Sequence, residues 1–412
     1  MAHDVPNLMD PVTYKDHVPH EYFAELRGTT PVALRHDEGS VPYWAVMGYD
    51  ACVRVNREWE EFSSHEKTVF LSDADEALLA QQQQMMINMD PPSHTQYRRL
   101  VNKAFTPRMV RDLEARLHVV TDELLNRVCE QGSADFVVDI AAELPLTVIA
   151  ELMGVPFEDR HKMFDWSNKM IGSEDPEYVV NPIMTAIATM ELFGYASELF
   201  SKKRTDPQED LMSALVNVDA DGESLDDLEL ALFFLLLSIA GNETTRNLIA
   251  GAMHAFFEFP EQWELLRADR SLMPGAVEEM LRFVTPVMCF RRTAMCDVSL
   301  EGAEIQQGDK VVFFHISANR DERIFENPDV FDIRRTPNPH IAFGGGGPHF
   351  CLGANLARME IAVMFEHLLD RMPEIRQAGP AARLQSPFIN GIKHLEVTFP
   401  AHQPVTLEGC SP

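Results

Sequence analysis

The chain has few cysteines for its length, and their spacing excludes two common uses of cysteine. Its 412 residues include six, which show neither the close pairing of a disulfide framework nor that of a zinc knuckle: Cys52, Cys129, Cys289, Cys296, Cys351 and Cys410. The N-terminal residues also lack a basic stretch followed by an apolar one, which a secretory signal needs. We therefore expect a cytoplasmic protein.

Long hydrophobic runs and positive charge are also scarce. The longest apolar run, Leu230 to Gly241, is too short to span a bilayer and lies between Glu229 and Glu243. With 35 basic against 64 acidic residues, the formal net charge is −29, which repels nucleic acid and anionic lipid. The sequence predicts a soluble protein without a membrane anchor or a nucleic-acid partner.

Six basic residues nevertheless lie close together, with only two acids among them: Arg98, Arg99, Lys103, Arg108, Arg111 and Arg116. One interpretation is that an acidic partner docks on this stretch, and the other is that the stretch is a solvated helix face. The sequence leaves both interpretations open.

Linkers and internal repeats are absent as well. Proline and glycine are scattered, and low complexity is limited to Gln81 to Gln84, so we predict a single domain over residues 1–412. Strand signals concentrate at about 30–50 and 290–400, including Val32 to Arg35 and Tyr43 to Met47, whereas about 90–285 is helical in pattern. The predicted fold class is mainly α with a small β-rich part.

A run of four glycines ends in a single thiol at Cys351 and lacks the features of a nucleotide site. A dinucleotide fingerprint needs glycine where His349 stands, and a phosphate loop needs a Gly-Lys-Ser/Thr ending. The segment from Gly353 to Leu369 has helical periodicity, and a helix N-terminus favours an anion such as a thiolate. The pattern therefore predicts a sulfur ligand for haem iron, with a structural loop as the alternative.

The central helix carries the second chemical signal. We predict that it begins at Ser224 and ends near Phe259, with small and polar residues from Ala240 to Thr245 interrupting its apolar body. A helical threonine can donate to the carbonyl four residues earlier and open a local bend. Glu243 and Thr244 are thus candidates for proton delivery, in which the carboxylate connects the hydroxyl to solvent, and the alternative is a helix kink with a surface acid.

Taken together, these motifs resemble those of bacterial cytochrome P450s, soluble haem-thiolate monooxygenases, over nearly the whole chain. Residues 90–98 are similar to the family's haem-edge helix, and Ala240 to Thr245 to its oxygen-binding helix. The Glu-x-x-Arg pair, Glu279 and Arg282, is followed by Arg335, which the resemblance assigns to the same buried ion network.

The resemblance implies haem b as the cofactor, with Cys351 as the metal ligand. It implies that the haem propionates are held by His94, Arg98, Arg292 and His349. Further cofactor contacts are implied at Ala240, Gly241, Thr244, Phe343, Gly344 and Gly353.

The cysteine loop departs from the commonest family pattern. Most members have phenylalanine seven residues before the cysteine, whereas here Gly344 holds that place and Phe343 lies eight before. Similar loops occur in a subgroup that oxidises steroids and branched lipids.

The function implied is hydroxylation of an apolar steroid, terpenoid or fatty-acyl compound by a monomer that takes electrons from a ferredoxin and its reductase. The chain has no flavin or nicotinamide motif of its own. Alternatives are a peroxide-driven peroxygenase and a non-catalytic haem carrier or sensor. The implied substrate pocket is lined by Met85, Met86, Ile87, Phe233, Leu237, Val287, Met288, Phe388 and Ile389, and ordinary core packing is the alternative for each of them.

Overall fold

The computed structural model describes residues 5–104, 107–179, 181, 183–217 and 225–406, without the side chains of 103, 104 and 107–112. Its helices are, in chain order, α1 His20–Thr29, α2 Tyr49–Arg57, α3 Glu76–Gln82, α4 Ser93–Ala104, α5 Pro107–Val128, α6 Glu143–Met153, α7 Arg160–Ile171, α8 Ile183–Thr205, α9 Leu211–Val216, α10 Asp227–Glu258, α11 Pro260–Ala268, α12 Met273–Val284, α13 His315–Ala318 and α14 Ala354–Arg371. The predicted mainly helical fold class is confirmed.

The strands are short. They are β1 Val32–Arg35, β2 Tyr43–Val46, β3 Phe62–Ser63, β4 Ser133–Asp135, β5 Cys289–Ala294, β6 Val298–Leu300, β7 Ala303–Ile305, β8 Lys310–Phe314, β9 Arg376–Gln377, β10 Ala382–Arg383, β11 Ile392–His394 and β12 Glu396–Thr398. The predicted strands from 32 to 35 and from 43 to 47 are confirmed, the second ending one residue earlier.

The chain folds into two compact units. Among the described residues, the first unit comprises those within 1–98, 278–352 and 383–390, and the second those within 99–277, 353–382 and 391–412. Each unit is therefore assembled from three separate stretches of sequence. The single-domain assignment stays a prediction.

The first unit is built on a five-stranded sheet of order β1-β2-β8-β5-β3. Strand β8 lies in the middle, parallel to β2 and antiparallel to β5, and all five of its residues are buried. Its sequence, Lys-Val-Val-Phe-Phe, is rich in the β-branched and aromatic residues that favour strands. Apolar clusters cover both faces of this sheet, and one of them includes residues of α2.

The second unit is organised around α10, which contacts α6, α7 and α8. This helix is capped by a box in which Asp226 and Glu229 bond each other's backbone N–H. The predicted cap, Ser224, lies outside the described residues, and the observed N-cap is Asp226. The helix ends at Glu258, one residue before the predicted end.

Within the described residues, α10 is the one helix long and apolar enough to cross a membrane by length and composition, with a mean hydropathy of 1.3. Half of its most apolar 18-residue stretch is buried inside the protein, and the core helices of other proteins meet the same criteria of length and composition.

Candidate active site

A backbone hydrogen bond joins the two ends of the cysteine loop, residues 343–351. The N–H of Cys351 donates to the carbonyl oxygen of Phe343 at 3.0 Å, so the glycine run between them forms a closed loop. Gly344 has a φ of +83°, a left-handed conformation that favours glycine. The carbonyl oxygen of Phe343 is thereby located beside the cysteine, although the ring is eight residues upstream.

Two residues beyond Cys351 the chain enters α14, with Gly353 as its N-cap. A Cβ added at Gly353 would meet no protein atom within 4 Å, so packing within the protein does not require glycine there. The cysteine is half-buried and not disulfide-bonded, and it therefore precedes a helix N-terminus as the sequence predicts.

Four cationic or ionisable side chains lie near one another in the first unit, one of them in the loop itself: His94, Arg98, Arg292 and His349. The rings of the two histidines lie 4.3 Å apart between centroids, and Arg98 Nη1 donates to the carbonyl oxygen of Pro348 at 3.0 Å. Arg292 is only 3% exposed, and its Nη1 donates to the carbonyl oxygen of Arg291 at 2.9 Å. In the part of the chain that is described, neither Arg98 nor Arg292 forms an ion pair.

Burial dominates the titration of this cluster. It lowers the pKa of Arg292 to about 10, with Asp90 opposing the shift. Burial and neighbouring cations lower the pKa of His349 to about 2, and burial with Arg98 lowers that of His94 to about 4. Both histidines are neutral at pH 7. A buried guanidinium without an acid in direct contact is costly, so the cluster fits an anionic group such as a haem propionate.

In the small and polar segment of α10, the residues Ala240, Gly241 and Thr244 have different surroundings. Ala240 is exposed in an otherwise largely buried helix. A Cβ at Gly241 would come within 2.8 Å of Ile149 Cδ1, so the close approach of α6 is sufficient to explain this glycine, and its contact with the cofactor stays a prediction. Thr244 Oγ1 donates to the carbonyl oxygen of Ala240 at 2.7 Å, which confirms the predicted back-bond, while the helix remains continuous.

Glu243 is located differently from the prediction. Its carboxylate is 1% exposed and ion-paired with Arg246, so it does not reach solvent. Ser167 Oγ of α7 donates to Glu243 Oε1 at 3.0 Å, and Arg246 Nη1 donates to Asn168 Oδ1 at 2.8 Å. The surface-acid alternative is wrong, because α7 covers this face of α10, and the role of Glu243 in proton delivery stays a prediction.

The predicted ion network is confirmed in the first unit. Arg282 donates from Nε and Nη2 to both carboxylate oxygens of Glu279 at 2.8 Å, and both side chains are fully buried. Arg335 Nε lies 3.1 Å from Glu279 Oε2. Other guanidinium N–H bonds go to the carbonyls of residues 319, 326–328 and 330, so the network fixes the chain that leads into the cysteine loop.

Seven of the nine predicted pocket residues belong to the first unit. The N–H of Met288 donates to the carbonyl oxygen of Phe388 at 2.8 Å, and Val287 forms a β-bridge with Ile389. The side chain of Met288 is 1% exposed and packs in an apolar core cluster with Tyr14 and Phe23, so packing explains it better than a pocket does.

The other predicted pocket residues differ in burial. Met85, Met86 and Phe233 are buried, whereas Ile87 and Leu237 are half-buried. Their role as substrate contacts stays a prediction.

Of the basic stretch, Arg116 is engaged in ion pairs, at 2.9 Å with Glu151 and 3.9 Å with Glu123. The side chains of Lys103, Arg108 and Arg111 lie outside the described residues.

Two contributors to the site escape sequence reasoning because their partners are distant in the chain. Arg57 Nε donates to the carbonyl oxygen of Gly345 at 2.7 Å. Asn319 Oδ1 accepts from the N–H of Ile341 at 2.7 Å, two residues before the loop. Arg246 could have been found, because it follows Glu243 at i+3 on one helix.

Three comparisons place the chain among known proteins. The family model described as Cytochrome P450 matches residues 5–373. A Rhodococcus jostii protein named steroid C26-monooxygenase is 42% identical over 95% of this chain and 84% of its own length. A Mycobacterium tuberculosis protein named methyl-branched lipid omega-hydroxylase is 40% identical over 92% of this chain and 90% of its own.

Solved structures agree. A Mycobacterium marinum cytochrome P450 in complex with pseudoionone is 38% identical, has a TM-score of 0.86, and is matched over 92% of this chain and 94% of its own. A Bacillus megaterium protein in complex with testosterone is 36% identical, has a TM-score of 0.81, and is matched over 93% of this chain and 99% of its own.

Proposed function

We propose that this chain, which belongs to the cytochrome P450 family and is a haem b-dependent monooxygenase, hydroxylates a bulky apolar compound of the steroid or methyl-branched lipid type. The observation that carries the substrate class is an identity of about 40% over nearly the whole chain to enzymes named for such substrates. Terpenoid and fatty-acyl compounds belong to the same apolar class and are further candidates.

We assign the metal-ligand role to the sulfur of Cys351. Haem held by a thiolate supplies the activation of dioxygen, because the sulfur donates electron density to the iron. The backbone bond from Cys351 to Phe343 restricts the position of the sulfur. His94, Arg98, Arg292 and His349 would receive the propionates, with the neutral histidines donating N–H groups and the arginines supplying charge.

We assign proton delivery to Thr244 and Glu243. The hydroxyl of Thr244 already donates to Ala240 and accepts nothing that is described, so it has a free lone pair for an incoming proton donor. Glu243 is held by Arg246 and Ser167. To carry protons, its carboxylate has to exchange these partners for water, so the ion pair would act as the resting position of the acid.

The electron donor in this proposal is a ferredoxin, supplied by its reductase in the cytoplasm. An aromatic ring supports docking near the cysteine: Phe350, the residue before Cys351, is 42% exposed. Exposed aromatic residues are frequent anchors of protein interfaces. The basic stretch, the other candidate docking surface, begins with Arg98 and Arg99. The side chains of Lys103, Arg108 and Arg111, which follow them, lie outside the described residues.

The test combines spectra with products. Reduced enzyme under carbon monoxide should give the red-displaced Soret maximum of thiolate coordination. Steroids and methyl-branched lipids should displace the iron-bound water and shift the resting spectrum, and with ferredoxin, reductase and dioxygen they should yield hydroxylated products. Substrate shifts without any product would favour the carrier or sensor alternative.

Thr244→Ala separates the dioxygen enzyme from a peroxygenase. In a dioxygen enzyme the variant should consume electrons while forming much less product per electron pair, because proton delivery is impaired. The proposed role of Thr244 would be contradicted if wild type and Thr244→Ala formed equal amounts of product from peroxide and the variant also lost no product per electron pair in the ferredoxin-driven reaction.

A further inference from the structure

The four-glycine run of the cysteine loop lies directly against the C-terminal end of α2. A Cβ at Gly345 would come within 2.9 Å of Val53 Cγ2, and one at Gly347 within 2.6 Å of the carbonyl oxygen of Asn56. Such distances are shorter than carbon contacts allow, so side chains are excluded on this face of the loop. The loop and α2 belong to the same compact unit.

One side chain of α2 bonds the run. Arg57 Nε donates to the carbonyl oxygen of Gly345 at 2.7 Å, and within the described residues this oxygen accepts from no backbone N–H. A Cβ at Gly346 would lie 2.8 Å from the same Nε atom. Because Gly346 has no side chain, the guanidinium of Arg57 has room to reach the carbonyl oxygen of Gly345.

We propose that Arg57 is a positioning residue, whose hydrogen bond to Gly345 holds the lengthened loop so that Cys351 keeps its orientation as the sulfur ligand. The inference rests on the proposed function, because it presupposes that Cys351 binds haem iron. It goes beyond that function by giving a role to a helix to which no cofactor contact is assigned.

The physical reason is the freedom of consecutive glycines. Each glycine loses more backbone entropy on ordering than any other residue, so four in sequence leave the loop many alternative conformations. The loop is one residue longer than the usual spacing between phenylalanine and cysteine. A bond at Gly345, between Phe343 and Cys351, restrains this extra length from one side, and the bond from Cys351 to Phe343 closes it from the other.

Three variants separate the hydrogen bond from charge and from packing. In Arg57→Gln the side-chain nitrogen takes the place of Nε, so the donor is kept and the charge is lost. In Arg57→Met the chain is kept as far as the position of Nε, where a methyl group replaces the donor. Arg54→Met is the matched control, because Arg54 is on the same helix and pairs with Glu58 and Glu61 but not with the glycine run.

The measurement is made on the haem-loaded protein. Reduced carbon monoxide complexes are held in a fixed, mildly denaturing urea concentration, and the conversion from the red-displaced Soret maximum to the shorter-wavelength form is timed. Arg57→Met should convert about fivefold faster than wild type, as expected for one lost hydrogen bond. Arg57→Gln and Arg54→Met should convert at nearly the wild-type rate.

A second measurement covers the case in which Arg57→Met unfolds. Hydrogen exchange of the wild-type and Arg57→Gln proteins should be equally slow over peptides 344–351, and global unfolding followed by circular dichroism should be similar for the variants that fold. Wild-type rates in Arg57→Met, or loss of the restraint in Arg57→Gln, would overturn the role of Arg57. Absence of the red-displaced maximum in wild type would instead overturn the assignment of Cys351.

Discussion

At the scale of single residues, the most informative group outside the cysteine loop is the buried carboxyl of Glu360 in α14. It is 3% exposed, and its Oε2 has no hydrogen-bond partner among the described residues. Burial raises the pKa of Glu360 to about 8. The folded protein therefore holds a proton that the unfolded chain releases near its ordinary pKa of 4.5.

The sign of the resulting pH dependence follows from that proton. Between the two pKa values the folded state binds more protons than the unfolded state, so Glu360 makes stability fall as pH rises from about 4.5 to about 8. Glu360→Gln should match wild type at the acidic end and exceed it by about 2–5 kcal/mol at the alkaline end.

Thermal unfolding of Glu360→Gln and wild type across this pH range checks the prediction. Glu366→Gln, on a half-buried position of the same helix, controls for the loss of one negative charge. A stability difference that does not change with pH would show that the carboxyl of Glu360 is solvated in solution.

Single residues also mark what could be predicted from sequence. Glu279 and Arg282 were predictable because their spacing alone makes them neighbours on a helix. Arg57 was not, because its partner Gly345 is distant in the chain and offers only a carbonyl, which has no sequence signature. The burial of Glu243 depends on α7, and periodicity cannot identify which helix covers which face.

At the scale of elements, β11 and the segment between α7 and α8 are joined by charge. Lys393 Nζ contacts Asp175 at 3.0 Å and Glu177 at 2.7 Å. His394 bonds Asp135 through Nδ1 at 2.5 Å and Glu177 through Nε2 at 2.7 Å. Both ring nitrogens face carboxylates, so this histidine is charged when the segment is docked.

The docking should weaken as pH rises. Burial lowers the pKa of His394, but hydrogen bonds to Asp135 and Glu177 outweigh it and hold this pKa above 6.5. The stabilisation is fully present below the unfolded pKa and is lost as pH rises through the raised folded one. Because the ring is 43% exposed, we expect exchange of residues 172–179 to change only about two- to fivefold.

Hydrogen exchange of that segment, corrected for intrinsic rates, measures the effect at pH 6 and pH 9. His394→Asn should remove the pH dependence. His161→Asn, which alters an exposed histidine near Glu143, should leave it unchanged. The same pH dependence in all three proteins would refute the part played by His394.

The ends of helices and strands were predictable where the hydrophobic pattern and the turn residues agree. Strands β1 and β2 alternate around a turn at Asp37 to Ser40 and were placed within one residue. Strand pairing was not predictable, because β2 joins β8 across most of the chain and hydrophobic pattern carries no information about partners.

At the scale of the whole molecule, the network of Glu279, Arg282 and Arg335 should decide whether the fold survives. Glu279→Ala leaves two arginines without their acid, and breaking such a buried pair costs about 3–5 kcal/mol. That is a large share of the roughly 5–15 kcal/mol by which whole domains are stable. We expect little folded, haem-loaded protein.

Thermal unfolding and the ratio of haem to protein measure this loss. Glu264→Ala is the matched control, since Glu264 also pairs with an arginine at i+3 but at 64% exposure. It should cost under about 1 kcal/mol. Equal losses in the two variants would mean that burial of the network does not matter.

The sheet of the first unit has a consequence for biosynthesis. Strand β8 supplies the partner of β2, yet the ribosome makes residues 310–314 long after residues 43–46. At about 5–20 residues per second, the nascent β1-β2 hairpin waits roughly 15–50 s with one bonding edge open. During translation this edge is a target for chaperones, and slower elongation through the α10 region lengthens the interval in which neighbouring nascent chains can pair with it.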